Sequence, residues 1–312
     1  MKISIIGCGM VGSSIAYAAV IKGVADEIVL VDMNKELAVG HAEDLSDGIP
    51  FIKPIKISGG DYYLTKNSDI IVITAGRAQR PDETRLDLLK SNAKIVSSIV
   101  LECLKYSENP ILIIVSNPVD VLTYVAWKKS KLNKRRIIGT GTTLDTARLR
   151  FNLADEFKID PRSIHAYVIG EHGDSEIVSW STANIGGISI FDICKDCPLS
   201  KKRNIYFKKI YEKTRNKAYK IIKSKGSTYY GIGLSTVRLI EAITNNENSV
   251  LTVSFVHDEY FDIKNIPFSL PAIINKDGVK KVLNIKLDDC ELASLEKSAT
   301  IIKKAIDSIY ED

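Results

Sequence analysis

Cysteine is scarce in this chain, which has five among 312 residues. A small and odd number does not build the disulfide framework of a secreted domain. Cys194 and Cys197 form a CxxC pair, but no second pair and no paired histidines accompany them, so a zinc or redox role is not favoured. This usage is typical of a protein in the reducing cytoplasm, and we expect no metal site.

Long apolar runs and long basic blocks are also missing. No segment has the ~18 unbroken apolar residues of a membrane span. The apolar N-terminus resembles a secretory signal, but its three spaced glycines and the strand that follows do not fit one. The net charge of +5 is mild, and the basic residues at 201–203 and 208–209 are typical of a solvated helix face. We therefore expect neither a membrane nor a nucleic-acid partner.

A glycine-rich turn follows the first predicted strand, residues 2–6, and precedes a predicted helix, residues 13–22. In this G-x-G-x-x-G pattern Gly7 makes the tight turn, Gly9 lets the backbone approach a pyrophosphate, and Gly12 allows close packing of the helix on the strand. This context favours a dinucleotide site. The alternative is a glycine-rich turn of an α/β protein without a nucleotide.

Two further features fit a dinucleotide. Met10 and Val11 lie near the start of the helix, whose N-terminus attracts phosphate charge. Asp32 ends the second predicted strand, 20 residues beyond the third glycine, where its carboxylate would accept hydrogen bonds from the ribose hydroxyls. Because that carboxylate would repel a 2′-phosphate, NAD is favoured over NADP.

Strands and helices alternate up to about residue 140. The predicted strands are 2–6, 27–31, 55–57, 69–74, 111–115 and 136–139, and the predicted helices include 34–46 and 83–106. Continuous apolar strands separated by helices predict a parallel sheet that is covered on both faces. Ligands bind at the carboxyl ends of such strands, which here carry Thr74, Ala75, Gly76 and Asn117 as predicted cofactor contacts. Asn117 before Pro118 also fits a helix N-cap.

The alternation stops after residue 139. Predicted helices at 143–157, 200–223, 229–244 and 288–309 are mixed with strands near 166–169, 250–256 and 273–275. We therefore predict an α/β fold, with a Rossmann-type doubly wound parallel sheet at 1–140 and a second, α+β catalytic domain at 141–312.

The polar segment 76–85 leaves a strand end and enters a long helix. Arg85 lies in or near the first helical turn, where a cation opposes the helix dipole. A locally unfavourable charge at the rim of a predicted ligand site indicates a functional role. The alternative is a surface arginine that pairs with Asp82 or Glu83.

His172 is the only one of four histidines that lies between glycines, in a short polar turn after the apolar residues 166–169. Asp145 and Arg148 are i and i+3 of the helix 143–157, so both can point to one side of it. The carboxylate would hold the imidazole, and the guanidinium would bind an anionic substrate by its planar fork. The alternative is a structural ion pair and an exposed loop histidine.

Six motifs carry a resemblance to a known family. In chain order they are GCGMVG followed by Asp32, GRAQRPDETRLDLL, VSNPVD, GTTLDTARLR, GEHGDSE and STYYGIGLS. Over essentially its whole length the chain resembles the bacterial L-lactate dehydrogenases and, more widely, the lactate/malate dehydrogenase superfamily. The resemblance implies a cytoplasmic oxidoreductase that uses NADH to reduce pyruvate reversibly to L-lactate.

The resemblance also implies the roles of site residues. His172 would be the acid/base, Asp145 its orienting carboxylate, and Arg148 the ligand of the substrate carboxylate. Arg85 would lie on a loop that closes over the substrate, excludes water and polarises the carbonyl. The pocket would be lined by Asn117 and Thr228.

The resemblance implies that the residue at the position of Gln79 determines which substrate is used. Glutamine at its loop position marks the lactate enzymes, whereas arginine marks the malate enzymes. A neutral amide would leave a second buried carboxylate unpaired, which costs several kcal/mol. Arg77 and Arg80 flank Gln79, so a shift in loop register would present a cation. Malate dehydrogenase and the reduction of branched 2-oxo acids are therefore the alternatives, and a non-catalytic NAD-binding protein is a more distant one.

Arg150 lies about 200° around its helix from Arg148, so it cannot easily serve the same substrate. In the bacterial enzymes that this chain resembles, an arginine there and a histidine matching His165 bind fructose 1,6-bisphosphate across a subunit interface. The resemblance thus implies a homotetramer that this effector activates. The alternative is a pair of ordinary interface charges.

Overall fold

A sheet of nine strands runs through both halves of the chain. The computed structural model describes residues 1–77, 84–194, 203–260 and 263–310. The first six strands are β1 Lys2–Ile6, β2 Glu27–Val31, β3 Lys56–Gly60, β4 Ile70–Ile73, β5 Ile111–Ile114 and β6 Ile137–Gly139. They are parallel and lie in the spatial order β3-β2-β1-β4-β5-β6. The predicted parallel sheet is confirmed, with strand ends displaced by at most three residues.

The side chains of these strands alternate between two apolar cores. In β4, Ile70 and Val72 pack on one face of the sheet, Ile71 and Ile73 pack on the other, and all four are fully buried. The covering helices are α1 Met10–Lys22, α2 Lys35–Asp47, α3 Arg85–Leu104 and α4 Val119–Ser130. Residues of α1 and α2 belong to the first core and those of α3 and α4 to the second. Burial on both faces explains why the strands are apolar throughout.

Three antiparallel strands extend the sheet beyond β6, which the prediction of a purely parallel sheet missed. They come from late in the chain: β12 Ser249–Val256, β13 Pro267–Asn275 and β14 Gly278–Val282. β12 joins β6 through the pair Ser254 and Gly139, and β13 and β14 follow in order. The sequence predicted only 273–275 of β13, because Pro267 and Pro271 disfavour a central strand locally, and it predicted none of β14. The fold class is still α/β, with a mixed sheet.

The remaining elements all follow β6 in the chain. They are α5 Thr143–Phe157, β7 Ile164–His165, β8 Val168–Ile169, β9 Ile177–Val178, β10 Asn184–Ile185, β11 Ile188–Ser189, α6 Ile190–Ile193, α7 Arg203–Arg215, α8 Lys217–Lys225, α9 Tyr230–Thr244 and α10 Asp289–Tyr310. The helix predicted at 143–157 is confirmed at both ends. The single helix predicted at 200–223 is wrong, because α7 ends before Asn216 and α8 begins after it.

Backbone pairing at two places positions the turn that carries His172. The short strands β8 and β9 pair antiparallel on either side of that turn. Gly170, at its start, exchanges two backbone hydrogen bonds with Ser269 of β13, with N···O distances of 2.9 and 2.8 Å. The turn is therefore attached directly to the large sheet. None of the helices in the described ranges combines the length and apolar character that a membrane span requires.

Candidate active site

Glycine is required at one position of the loop between β1 and α1 and at one position in the first turn of α1. Gly7 has φ +101°, and a Cβ there would lie 2.7 Å from the Ala75 nitrogen and 2.8 Å from Thr74 Oγ1. A Cβ at Gly12 would lie 1.8 Å from the Gly7 carbonyl oxygen. Both contacts are far inside van der Waals distance, so the loop requires the turn and the close packing that the sequence pattern predicts.

The same loop leaves room for an anion at the N-terminus of α1. A Cβ at Gly9 would have no atom within 4 Å, and no side chain caps the helix that begins at Met10. Met10 is 64% exposed and Val11 is half-buried. The first N–H groups of a helix have no partner within the helix and attract negative charge. The loop therefore fits a pyrophosphate.

Asp32 lies beside this loop at the end of β2. Its Oδ2 accepts a hydrogen bond from the Cys8 nitrogen at 2.7 Å, and its Oδ1 accepts one from the Asn34 nitrogen at 2.9 Å. A carboxylate oxygen has two lone pairs, so each oxygen can still accept a ribose hydroxyl. At the end of β4, Thr74 Oγ1 donates to the Gly7 carbonyl at 2.8 Å and ties the neighbouring strand end to the loop.

Asn117 is not the N-cap of the helix that follows, contrary to one interpretation of the sequence. The helix α4 begins at Val119 with Pro118 at the cap position, and Asn117 Oδ1 accepts only a 3.3 Å hydrogen bond from the Val119 nitrogen. The exposed Asn117 side chain stands at the carboxyl end of β5. Buried Asn92 of α3 donates to the Asn117 carbonyl at 3.0 Å and accepts from the Arg77 nitrogen at 3.1 Å, so it joins the ends of β4 and β5.

The structure brings together the imidazole, carboxylate and guanidinium predicted to form the catalytic group. His172 Nδ1 is 2.6 Å from Asp145 Oδ2, and Arg148 Nη1 is 2.7 Å from Asp145 Oδ1. Asp145 is 3% exposed, so its two oxygens are divided between the two cations in a buried environment. Since Asp145 engages Nδ1, Nε2 is the ring nitrogen left for a substrate.

The charges of this group stabilise each other. Burial alone would lower the pKa of His172, but attraction by Asp145 and the hydrogen bond to it, followed by Asp120 and Glu176, raise this pKa to about 9. Burial alone would raise the pKa of Asp145, yet His172 and Arg148 hold it below its usual value. At neutral pH the group is therefore an imidazolium paired with a carboxylate.

Two buried acids beside this group were not predicted as site residues. Asp120 of α4 accepts a hydrogen bond from the His172 backbone nitrogen at 2.8 Å, and burial raises its pKa to about 6. Glu176 is 4% exposed, and burial, followed by repulsion from Asp145, raises its pKa to about 8. Both lie in motifs that the resemblance rests on, VSNPVD and GEHGDSE. An acidic residue so close to a predicted site residue was the available signal.

Other predicted site residues are placed less completely. Thr228 is half-buried in the link between α8 and α9, three residues before Gly231, where a Cβ would lie 3.1 Å from Leu144 at the start of α5. Arg85 is the first residue of α3, and it lies between Thr84 and Asp87, which form the capping box of that helix. The Arg85 side chain and Gln79 lie outside the described part of the structure, so their roles stay predictions.

Arg150 does not join Arg148. Its Nε donates to the Ala166 carbonyl at 3.1 Å, and its guanidinium lies 5.3 Å from the centre of the Tyr167 ring. Burial lowers the pKa of Arg150. His165, the residue before Ala166, is exposed at the end of β7. Of the CxxC pair in the sequence, Cys194 is buried and forms no disulfide, and Cys197 lies outside the described residues.

Comparisons with known proteins agree along the whole chain. An L-lactate dehydrogenase of Kosmotoga olearia is 63% identical, with 100% of this chain and 97% of the relative covered. L-lactate dehydrogenase 1 of Clostridium acetobutylicum is 48% identical, with 99% and 98% covered. The crystal structure of a lactate dehydrogenase from a Medee basin deep-sea metagenome library has a TM-score of 0.95 and 44% identity, with 99% of this chain and 98% of that chain covered.

Two family descriptions match consecutive parts of the chain. Residues 1–139 match the lactate/malate dehydrogenase NAD binding domain, and residues 142–312 match the α/β C-terminal domain of the same family. The glycine loop and Asp32 lie in the first part, and the His172, Asp145 and Arg148 group lies in the second. The chain therefore belongs to the lactate/malate dehydrogenase family.

Proposed function

We propose that this protein is an NAD-dependent L-lactate dehydrogenase that reduces pyruvate reversibly to L-lactate. The observation that carries the proposal is the buried group in which Asp145 Oδ2 holds His172 Nδ1 at 2.6 Å and Asp145 Oδ1 holds Arg148 at 2.7 Å. Relatives named L-lactate dehydrogenase, which match the chain from end to end, support it. We also propose that residues 1–140 bind the dinucleotide and that residues 141–312 bind the substrate and carry the catalytic histidine.

The chain's own residues bind and orient the reactants. Arg148 uses the guanidinium nitrogens that do not face Asp145 to bind the pyruvate carboxylate. The His172 imidazolium donates the proton on Nε2 to the carbonyl oxygen, and Asp145 stabilises the charged ring before transfer. Arg85 is proposed to stabilise charge on that oxygen. NADH, when bound, supplies the hydride.

The geometry of the glycine loop and of the strand ends around it supports the proposed cofactor residues. Gly9, Met10 and Val11 offer open space and backbone N–H groups to the pyrophosphate, while Gly7 and Gly12 shape the loop. Asp32 accepts the ribose hydroxyls. The remaining proposed contacts lie at the carboxyl ends of β4 and β5: Thr74, Ala75, Gly76 and Asn117.

We expect a strong preference for pyruvate over oxaloacetate. If Gln79 faces the substrate, the second carboxylate of oxaloacetate has no cation there, and kcat/KM is expected to be lower by about 100-fold or more. The measurement is steady-state reduction of a panel of 2-oxo acids, branched ones included, with NADH. In a Gln79→Arg variant the preference should move towards oxaloacetate. Equal or faster turnover of oxaloacetate by the wild type would instead assign a malate dehydrogenase.

We further propose a cytoplasmic homotetramer that binds fructose 1,6-bisphosphate through Arg150 and His165. Arg150 donates to the Ala166 carbonyl and not to Asp145, and no carboxylate within the described ranges forms a salt bridge with it. Two helices also expose apolar pairs at i and i+4 spacing, and neighbouring exposed apolar side chains are typical of interaction surfaces. These pairs are Tyr17 with Ile21 on α1, exposed 61% and 56%, and Tyr230 with Leu234 on α9, exposed 69% and 58%.

Saturating fructose 1,6-bisphosphate is expected to lower the pyruvate concentration at half-maximal rate several-fold. A coupling of 1–3 kcal/mol, about 5- to 150-fold, is usual between an effector and a substrate. Arg150→Gln should remove the response because it removes the bidentate phosphate ligand. Arg162→Gln is the matched control, since Arg162 is exposed and paired with Asp160. A wild-type saturation curve that does not change with the effector contradicts this assignment.

A further inference from the structure

The turn that carries His172 is held by side chains from two helices that are distant in sequence. Two consecutive backbone N–H groups donate to them. Glu171 N donates to Ser298 Oγ of α10 at 2.8 Å, and His172 N donates to Asp120 Oδ2 of α4 at 2.8 Å. Ser298 is fully buried and Asp120 is 2% exposed. Neither acceptor belongs to the group formed by His172, Asp145 and Arg148.

This turn has little regular structure of its own to fix it. The strands on either side, β8 and β9, have two residues each, and the ladder between them ends at Ile169 and Ile177. Buried backbone N–H groups outside a ladder need other partners. Ser298 and Asp120 supply those partners at the residue before the imidazole and at the imidazole's own residue, so they fix where the ring stands.

Ser298 holds the turn at two points. Its Oγ lies 2.9 Å from Ser175 Oγ, and Ser175 in turn donates to the Glu171 carboxylate. A Cβ at Gly170 would lie 2.9 Å from Ser298 Oγ, so the helix α10 packs directly against the start of the turn. None of these contacts involves the imidazole ring or the carboxylates of Asp145 and Asp120, and Ser298 itself carries no charge. Ser298 therefore affects the position of His172 and not its charge.

Asp120 differs from Ser298 because it brings a charge. The Asp120 carboxylate accepts from the His172 backbone nitrogen at 2.8 Å, and its attraction raises the pKa of His172 in addition to the larger effect of Asp145. The Ser254 hydroxyl approaches Asp120, but Oδ1 has no hydrogen-bond partner among the described residues. Burial raises the pKa of Asp120 to about 6, so the group is ionised when His172 is protonated at pH 7. Asp120 thus acts on both the position and the charge of the ring.

We propose that Asp120 and Ser298 are positioning residues for His172: Ser298 fixes the place of the imidazole, and Asp120 fixes its place and favours its protonated form. The inference rests on the proposed function, in which His172 donates the proton. It predicts that the two residues have separable effects, because one contributes a charge and the other does not.

Asp120→Asn and Ser298→Ala separate these effects. The asparagine keeps an oxygen that can accept from His172 N but removes the charge, whereas the alanine removes the acceptor of Glu171 N and leaves every charge in place. Matched controls on α10 are Asp307→Asn and Ser294→Ala. Asp307 is exposed, and the Ser294 hydroxyl donates only within its own helix. Thermal unfolding and NADH binding by fluorescence show that each variant is folded.

The pKa of His172 is measured by NMR titration of the full-length protein with labelled histidine, because four histidines give a small set of signals. His172 is assigned by its loss in a His172→Gln variant. Asp120→Asn is expected to lower this pKa by about one unit or more and to move the upper limb of the pH profile of kcat/KM to lower pH. Ser298→Ala should leave the pKa of His172 and the upper limb of the pH profile unchanged. It should lower kcat by about 10- to 100-fold, since the ring is displaced.

The titration separates failure of this inference from failure of the proposed function. If the wild type does not reduce pyruvate, the proposed function is wrong, and the titration still shows whether Asp120 acts on His172. A folded Asp120→Asn protein with an unmoved His172 pKa overturns the role of Asp120. A folded Ser298→Ala protein with wild-type kcat, like its Ser294→Ala control, overturns the role of Ser298.

Discussion

Replacing His172 with asparagine is expected to lower kcat for pyruvate reduction by about 10²- to 10⁴-fold, the usual contribution of a positioned acid or base. The amide fills part of the ring's place but has no proton to give at neutral pH. The dissociation constant of NADH should be unchanged, because the glycine loop and Asp32 belong to other elements. Steady-state rates and NADH fluorescence titration measure the two quantities separately.

His41→Asn is the control for this variant. His41 lies on α2, which packs on the first apolar core, whereas His172 lies in the turn between β8 and β9. The pH profile gives a second test. A pKa of about 9 for His172 means that the proton donor is present below that pH and is lost as pH rises through it, so wild-type kcat/KM for pyruvate should fall above about pH 9. An asparagine variant with more than about half of the wild-type rate would be incompatible with the proposed mechanism.

Replacing Arg148 with glutamine is expected to lower kcat/KM for pyruvate by about 10²- to 10³-fold, mainly through a higher KM. The change removes the planar fork that binds the carboxylate and leaves Asp145 with one cation instead of two. Breaking a buried, hydrogen-bonded charge pair costs about 2–5 kcal/mol. The measurement is the pyruvate saturation curve at saturating NADH.

The variant Arg148→Lys separates the effect of the positive charge from that of the planar fork. A lysine keeps the positive charge but presents a point charge in place of two parallel N–H groups, so only part of the affinity should return. The control is Arg238→Gln, because Arg238 pairs with Glu247 and donates to Ser249 at a distance from the catalytic group. A KM that stays at the wild-type value in Arg148→Gln would remove Arg148 from the substrate site.

Features set by neighbouring residues were predictable from the sequence. The glycine loop is one, because a positive φ at Gly7 and a contact too close for a Cβ at Gly12 depend on a few adjacent positions. The pair Asp145 and Arg148 is another, because i and i+3 share one side of a helix wherever that helix packs. The six parallel strands were predictable because burial on both faces leaves a continuous apolar run.

Other features were decided only when distant segments met. Ser298 and Asp120 hold the His172 turn across 127 and 52 residues of sequence, and no local pattern indicates that their side chains accept those two N–H groups. The sequences of β13 and β14 only weakly predict strands. Both segments are strands in the structure because neighbouring strands supply partners for their backbone hydrogen bonds. Local sequence restricts backbone angles and the faces of helices and strands, whereas the partner of a buried polar group is chosen by packing.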